Sequence, residues 1–343
     1  MSTGQDKNVA KRDPLFDVAK FVAMFMVVYW HVMSYRPGFD LATMPSCAAN
    51  FIIAVNMPLF FVVSGYFSRR LHYSGNWRKL AGRMVSYFWP LAIFSIIGAV
   101  IDAFLIHKCT IASIPLVALK KFLFTGWFFY ALAGCEIITF CATRYSRSVF
   151  QKVEMCCLAY FMMLFLSGRV WYASSIVSMV PFYWFGLYLL PYFLSRKKLF
   201  SVTAICGGLL MIYITYFAGS IATNGLAFYW DRFDILHPEW TKAINMSARY
   251  LVGMVGCLFI IATLKSIMVF IPSASRLACL GVETLRIYFI HGLLIGLGTN
   301  FLIDLSAGNL ILLASACAVF LISFCIAKLT LLSTHIACFA WGI

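Results

Sequence analysis

Apolar residues run along this chain in long stretches, and short polar connections rich in Lys and Arg separate them. A helix needs about 20 apolar residues to cross a bilayer. Ten stretches are read as spans: 16–35, 48–67, 84–106, 122–142, 155–171, 176–194, 199–218, 250–271, 277–303 and 310–327. The fifth is short and reads as tilted or partly re-entrant. Only a helix or a closed barrel satisfies its backbone inside lipid. The pattern therefore predicts an all-α, polytopic bundle of about ten transmembrane helices. It divides the chain into an N-terminal tail over 1–15, a membrane domain over 16–327 and a C-terminal segment over 328–343. No internal repeat and no low-complexity segment is visible.

Composition sharpens this picture. Of 343 residues, 63% are hydrophobic, 17% aromatic and 11% charged, with a mean hydropathy of +0.90. Soluble domains carry about 25% charged residues, so a water-soluble enzyme is excluded. Few charges and many aromatics exclude disorder as well. The net charge of +15 does not point to nucleic acid, because the basic residues sit between apolar runs, where they set topology. The twelve cysteines lie mostly inside apolar runs with no CxxC spacing. They read as small buried residues, with no disulfide frame and no metal site. The first run is a full span without a small-residue cleavage site, so no cleavable signal peptide is expected.

Lys and Arg are uneven across the connections, 17 on the side of the N-terminus against 8 on the other. The positive-inside rule then predicts a multi-pass protein of the cell membrane with both termini cytoplasmic. The longest outer connection, 219–249, carries Tyr229, Trp230, Asp231, Arg232, Asp234, His237, Glu239 and Trp240. That mixture suits either a sugar or an interfacial aromatic belt.

Ionisable residues inside the runs need a reason, since a charge at the bilayer centre costs about 2.5–3.5 kcal/mol on insertion scales. In the first run Lys20 and His31 are eleven residues apart. This is close to three helical turns, so both point the same way, separated by about 16 Å along the axis. Asp17 lies three residues before Lys20 and can pair with it. Imidazole titrates near neutral pH and is the usual general base, which makes His31 the leading catalytic candidate. In the ninth run Thr284, Tyr288 and His291 share one face, and Glu283 and Arg286 are placed to neutralise each other. The plain alternatives are snorkelling for Asp17 and Lys20, and structural pairing for Glu283 and Arg286.

The second run holds Pro58 and ends in Ser64-Gly65, which allows close helix contact. Behind it come Arg69, Arg70, Arg78, Lys79 and Arg83, a basic cluster on the cytoplasmic side. Guanidinium groups match phosphates well, but ordinary topology charge would look the same. The fourth run opens with Trp127 and Tyr130, which fit an aromatic belt, and contains Glu136.

These residues resemble the "type three" family of membrane O-acyltransferases. The likeness rests on Asp17 and Lys20 followed by ten residues and His31, and on the Phe60-Phe61…Ser64-Gly65 stretch. It continues with Arg83 before Pro90, Trp127 to Leu132, and Tyr288-x-x-His291, in order from about residue 13 to 327. The resemblance implies transfer of an acyl group, usually acetyl, from cytoplasmic acetyl-CoA or another acyl-CoA to a hydroxyl of an envelope glycan or lipid-linked sugar. It implies His31 as the catalytic histidine and Lys20 as its basic partner. Tyr288 and His291 would support the reaction, and Arg69, Arg70, Arg78 and Arg83 would meet CoA. The donor is a substrate, and no bound cofactor is implied. Where many members carry Arg, this chain has Lys20. The Arg-x-x-Arg pattern after the second span is absent. The rival reading is a transporter or flippase of lipid-linked sugar that uses the same intramembrane groups as a proton relay.

Overall fold

The computed structural model describes residues 13–34, 47–106, 108–144, 148–166, 172–216, 238–301 and 309–342. Among these residues the chain is helical, with no strand. The helices are α1 (Pro14–Ser34), α2 (Cys47–Ser74), α3 (Trp77–Phe104), α4 (Ile114–Thr125), α5 (Trp127–Arg144), α6 (Val149–Leu166) and α7 (Ala173–Trp184). After a π-helical turn at Phe185–Leu189 follow α8 (Leu190–Ser195), α9 (Lys197–Tyr216) and α10 (Pro238–Phe270). A 3₁₀ turn at Pro272–Leu277 then leads to α11 (Ala278–Val282), α12 (Thr284–Phe301), α13 (Asn309–Leu332) and α14 (Thr334–Trp341).

Helix α1 is the hub. It packs against α2, α10, α11, α12 and α13. Being walled in on several sides, it buries Phe16, Asp17, Ala23, Met24 and Val28, and it is apolar along most of its length.

Six helices are long and apolar enough to span a bilayer: Pro14–Ser34, Phe51–Ser74, Trp77–Phe104, Ala173–Ser195, Arg249–Phe270 and Leu310–Leu332. Two bent pairs bring the number to eight if each is one span. Among the described residues the count is thus six to eight, and the expected ten is not confirmed. At the run 155–171, α6 offers an apolar helix over Glu154–Leu166, shorter than the six, and 167–171 lie outside the described residues. The run at 199–218, now α9, is not among the six either. Hydropathy averages composition and carries no direction, which explains two further differences. The expected span 122–142 is broken between α4 and α5 by a 54° bend, and 277–303 by a 66° bend between Val282 and Thr284. Residues 219–237 of the expected outer loop lie outside the described residues, and from Pro238 onward that loop is already α10. The cysteines also differ from expectation: Cys135, Cys156 and Cys257 are buried, whereas Cys157, Cys206, Cys279, Cys325 and Cys338 are exposed on the bundle. The last run continues without a break through α13 to Leu332, and α14 folds back, its Phe339 carbonyl accepting from Trp89 Nε1 at 2.9 Å.

Backbones touch where glycine permits it. A Cβ on Gly65 of α2 would lie 2.0 Å from the Tyr183 carbonyl oxygen, and one on Gly186 would lie 1.9 Å from the Val62 oxygen. The two contacts are reciprocal and lock α2 to the π-helical turn after α7, the close helix approach that small residues allow in membranes. A Cβ on Gly281 would meet the Asp17 carbonyl oxygen at 1.7 Å, which seats α11 against the start of α1.

Gly65→Ala and Gly186→Ala should therefore each lower the thermal midpoint of the detergent-purified protein, with overpacking costing about 1–3 kcal/mol or more. Gly82→Ala, with nothing within 4 Å of the new methyl, should leave the midpoint within about a degree of wild type or raise it slightly, because Ala favours helix. A Gly65→Ala protein as stable as wild type would refute the close approach.

Candidate functional site

Two histidines meet in the bundle. His31, near the end of α1, and His291, two turns into α12, stack with ring centroids 5.2 Å apart and planes 5° from parallel. His31 Nδ1 lies 3.0 Å from His291 Nε2, and His291 Nδ1 lies 3.0 Å from the Ile287 carbonyl oxygen. A carbonyl only accepts, so His291 Nδ1 carries a proton and donates it. With both rings neutral, His291 Nε2 is then an acceptor, and His31 Nδ1–H donates to it. That leaves the lone pair of His31 on Nε2. His291 therefore fixes the tautomer of His31 in the way a second histidine or carboxylate orients a catalytic imidazole. Spacing alone put His31 and His291 on separate helices without a partner. The contact spans 260 positions, and no local signal reveals it.

Three cavities share Tyr288, and two of them border this pair. The first, about 310 Å³, is lined by Lys20, Ser64, Ser68, Arg83, Tyr87 and Glu136. The second, about 320 Å³, is lined by Trp30, His31, Asn56, Trp127, Ser178 and Arg249. The third, about 510 Å³, is lined by His31, Ser95, Asp102, Lys121, Trp127 and His291. Tyr288 lines all three. Its ring packs 5.6 Å from that of His291, so the shared face of Tyr288 and His291 read from sequence forms the junction of the cavities. Thr284 also lines the first cavity, and its hydroxyl donates to the Gly281 carbonyl at 3.2 Å. The break at Gly126 sets Trp127 at the head of α5, where it borders the second and third cavities instead of sitting in a belt. Tyr130 lines none of the three. It stacks on Tyr172 at 4.7 Å and donates to the Phe122 carbonyl at 3.2 Å.

The expected charge pairs form. Lys20 Nζ is 2.5 Å from Asp17 Oδ1. Glu283 takes Arg286 at one oxygen and Lys328 at the other, the latter at 2.7 Å. Lys328, read as a connection residue, is thus a third member of that group, supplied by α13.

A fourth cluster went unread. Glu136 is fully buried and accepts from Arg83 Nη1 at 2.6 Å, from the Ser68 hydroxyl at 3.1 Å and from the Tyr87 hydroxyl at 3.1 Å. Nearby, His72 Nε2 and the Tyr183 hydroxyl are 2.8 Å apart. A lone acid within an apolar run was the available signal. Its partners come from α2 and α3, which sequence spacing does not bring together.

The basic cluster is not one loop. Helix α2 continues through Arg69 and Arg70 to Ser74, and α3 begins at Trp77. The turn between them is tight: Gly75 is left-handed at φ 55°, and the Asn76 side chain accepts from the backbone N–H groups of Arg78 and Lys79. The arginines therefore point in different directions. Arg83 faces the first cavity. Arg70 and Lys79 join it around a shallow cleft. Arg69 lies over its own helix, with its guanidinium 3.9 Å above the Tyr66 ring and its Nε donating to the Tyr66 carbonyl. Arg78 lines none of these spaces. Of the four arginines, Arg83 lines the first cavity and shares the cleft with Arg70, while Arg69 and Arg78 border neither.

Glu136→Ala should destabilise the protein by about 3 kcal/mol, toward the low end for breaking a buried pair because Arg83 is one-third exposed. Replacing both partners, Arg83→Met with Glu136→Met, should recover much of the lost thermal stability, since no unpaired charge is left buried. A double variant less stable than either single variant would contradict this account of the pair.

No curated protein and no solved structure matches this chain. A family model described as the acyltransferase domain matches residues 14–328, so the chain belongs to that family of membrane O-acyltransferases.

Proposed function

We propose that the protein transfers an acyl group, acetyl as the simplest case, from acyl-CoA to a hydroxyl of an envelope glycan or lipid-linked sugar. The observation that carries this reading is the fixed tautomer of His31, whose Nε2 lone pair is held ready on a ring that borders two cavities. A sugar hydroxyl is a weak nucleophile, and a base must take its proton as it attacks. The hydroxyl oxygen bonds to the thioester carbonyl carbon while its proton passes to His31 Nε2. The C–S bond then breaks, and the CoA thiolate takes that proton, leaving an ester and CoA thiol. Tyr288 stands at the junction and supplies an O–H donor for the oxyanion.

The first cavity suits the donor. Lys20 and Arg83 give it cationic walls, and Ser64, Ser68 and Thr284 give it hydroxyls, while the phosphates would sit toward the cleft bounded by Arg70, Lys79 and Arg83. Two-to-one enrichment of Lys and Arg supports a cytoplasmic placing of that end, and of both termini, in the cell membrane.

In an assay of purified protein with radiolabelled acetyl-CoA and a panel of envelope glycans, His31→Gln should lower transfer by about 10²–10⁴-fold, the usual contribution of a base. Acetyl-CoA binding should survive. Arg83→Lys, which keeps the charge beside Glu136 but loses the planar fork, should raise the donor KM, whereas Arg78→Ala should not. A His31→Gln protein that binds donor and transfers at near wild-type rate would sink the mechanism.

The orientation has its own check. A cysteine placed at Ser74, exposed at the end of α2, should resist an impermeant maleimide applied to intact cells and react once the cells are opened. Labelling from outside would reverse the topology.

A further inference from the structure

The two spaces beside His31 are not equivalent. His31 Nδ1 is turned to His291, so Nε2, on the other side of the ring, is turned away from it. The third cavity is lined by both histidines, the second by His31 without His291. Of the two spaces, the one that His291 does not line is therefore the candidate for Nε2. In the third cavity Lys121 Nζ is bridged to Asp102 Oδ2 at 2.9 Å, and Lys108 is a further cation in the lining.

The walls of the second cavity carry a distinct chemistry. Trp30 and Trp127 supply indole surface, and Asn56 and Ser178 supply an amide and a hydroxyl. Among its described lining residues Arg249 alone bears a formal charge. Flat aromatic surface with scattered hydrogen-bonding groups matches a sugar ring, which has apolar C–H faces and a polar rim. A guanidinium has five N–H donors, so it can keep a protein partner and still present a fork to an anion. At about 320 Å³ the space lies in the range of small-ligand sites.

We propose that the second cavity is the acceptor site and that it selects an anionic sugar, with the ring against Trp30 and Trp127, the carboxylate or phosphate at Arg249 and the reacting hydroxyl at His31 Nε2. This rests on the acyl-transfer reading above and adds to it the route and the charge of the acceptor. Neither Arg249 nor Asn56 stood out in the sequence. Arg249 counted only as a connection charge.

The test uses the full-length purified protein, radiolabelled acetyl-CoA and three probes: octyl glucuronide, octyl glucoside 6-phosphate and neutral octyl glucoside. The charged glycosides should be acylated with a kcat/KM at least about tenfold above that of the neutral one, the size expected of a hydrogen bond to a charged group. If only one of them is preferred, the arm shows whether carboxylate or phosphate is the group read. Arg249→Gln should bring the ratio toward one by raising the acceptor KM while the donor KM stays put. Arg249→Lys should keep part of the preference. A wild-type ratio at or below one overturns the proposal, and so does a ratio that survives Arg249→Gln. Should neither variant fold, the wild-type ratio decides alone. His31-dependent acylation of the neutral glycoside alone, or of some other glycan while all three probes are refused, would defeat the acceptor assignment and leave acyl transfer standing. No transfer to any glycan would defeat the reading beneath it.

Discussion

A carboxylate taken out of water must find a cation or lose its charge, and this bundle is arranged around that constraint. Among the described residues three acids are buried, Asp17, Glu136 and Glu283, and each holds a cation: Lys20, Arg83, and the pair Arg286 and Lys328. The first pair lies within α1. The second ties α3 to α5. The third joins α12 to α13 just where the chain bends. The two pairings that join different helices, Arg83 with Glu136 and Lys328 with Glu283, limit the rotation of those helices about their own axes, which apolar packing against lipid leaves free. Asp17–Lys20 turns with α1, which is seated by its packing against α2, α10, α11, α12 and α13. So placed, α1 lines the first cavity with Lys20 and the other two with His31, three turns on.

Close backbone approach supplies the second element. Gly65 and Gly186 bring α2 onto the π-helical turn after α7, and Gly281 brings α11 onto α1. Inside lipid no hydrophobic force drives one helix onto another, so contact of this kind has to supply the attraction through packing. The π turn is itself a common mark of functional sites. Here it offers Gly186 to the Val62 carbonyl and follows directly on Tyr183, the partner of His72. The breaks at Gly126 and Glu283 do the opposite work. They interrupt apolar stretches that would otherwise cross as plain cylinders, and so leave room for cavities bordered by Trp127 and Tyr288.

What the sequence made legible was local. Apolar runs located at least one end of most helices to within a few residues, because span length is a direct consequence of bilayer thickness. Spacings of three residues foretold Asp17–Lys20 and Glu283–Arg286, since neighbours on one helix face meet whatever the tertiary fold. Spacings of three and four likewise foretold the common face of Thr284, Tyr288 and His291. What stayed hidden was long-range or directional. His31 meets His291 across 260 positions, and Glu136 meets Arg83 across 53 and Ser68 across 68. A polar Ser-Arg-Arg sequence looks like a loop, yet it forms the end of α2, because a helix end that clears the apolar region carries charge at no cost. The four arginines could then be counted but not aimed.

The convergence on Tyr288 bears on how two unlike substrates would meet under the proposed mechanism. A CoA thioester is charged and confined to water on one side, whereas an envelope sugar belongs to the other. Rate gains from proximity require the reacting atoms to come within about 3–3.5 Å in the right orientation. Neither substrate needs to cross the bilayer if each enters a cavity from its own end and only the reactive tips come together. Lys20 and His31 sit about 16 Å apart along α1 by helix rise, so the charged part of the donor would remain at the cationic end while a slender arm reached the histidine. A single buried cavity large enough for both substrates would have to desolvate all their charges. Separate cavities that share one tyrosine, with an oriented imidazole on the acceptor side, leave most of that hydration in place.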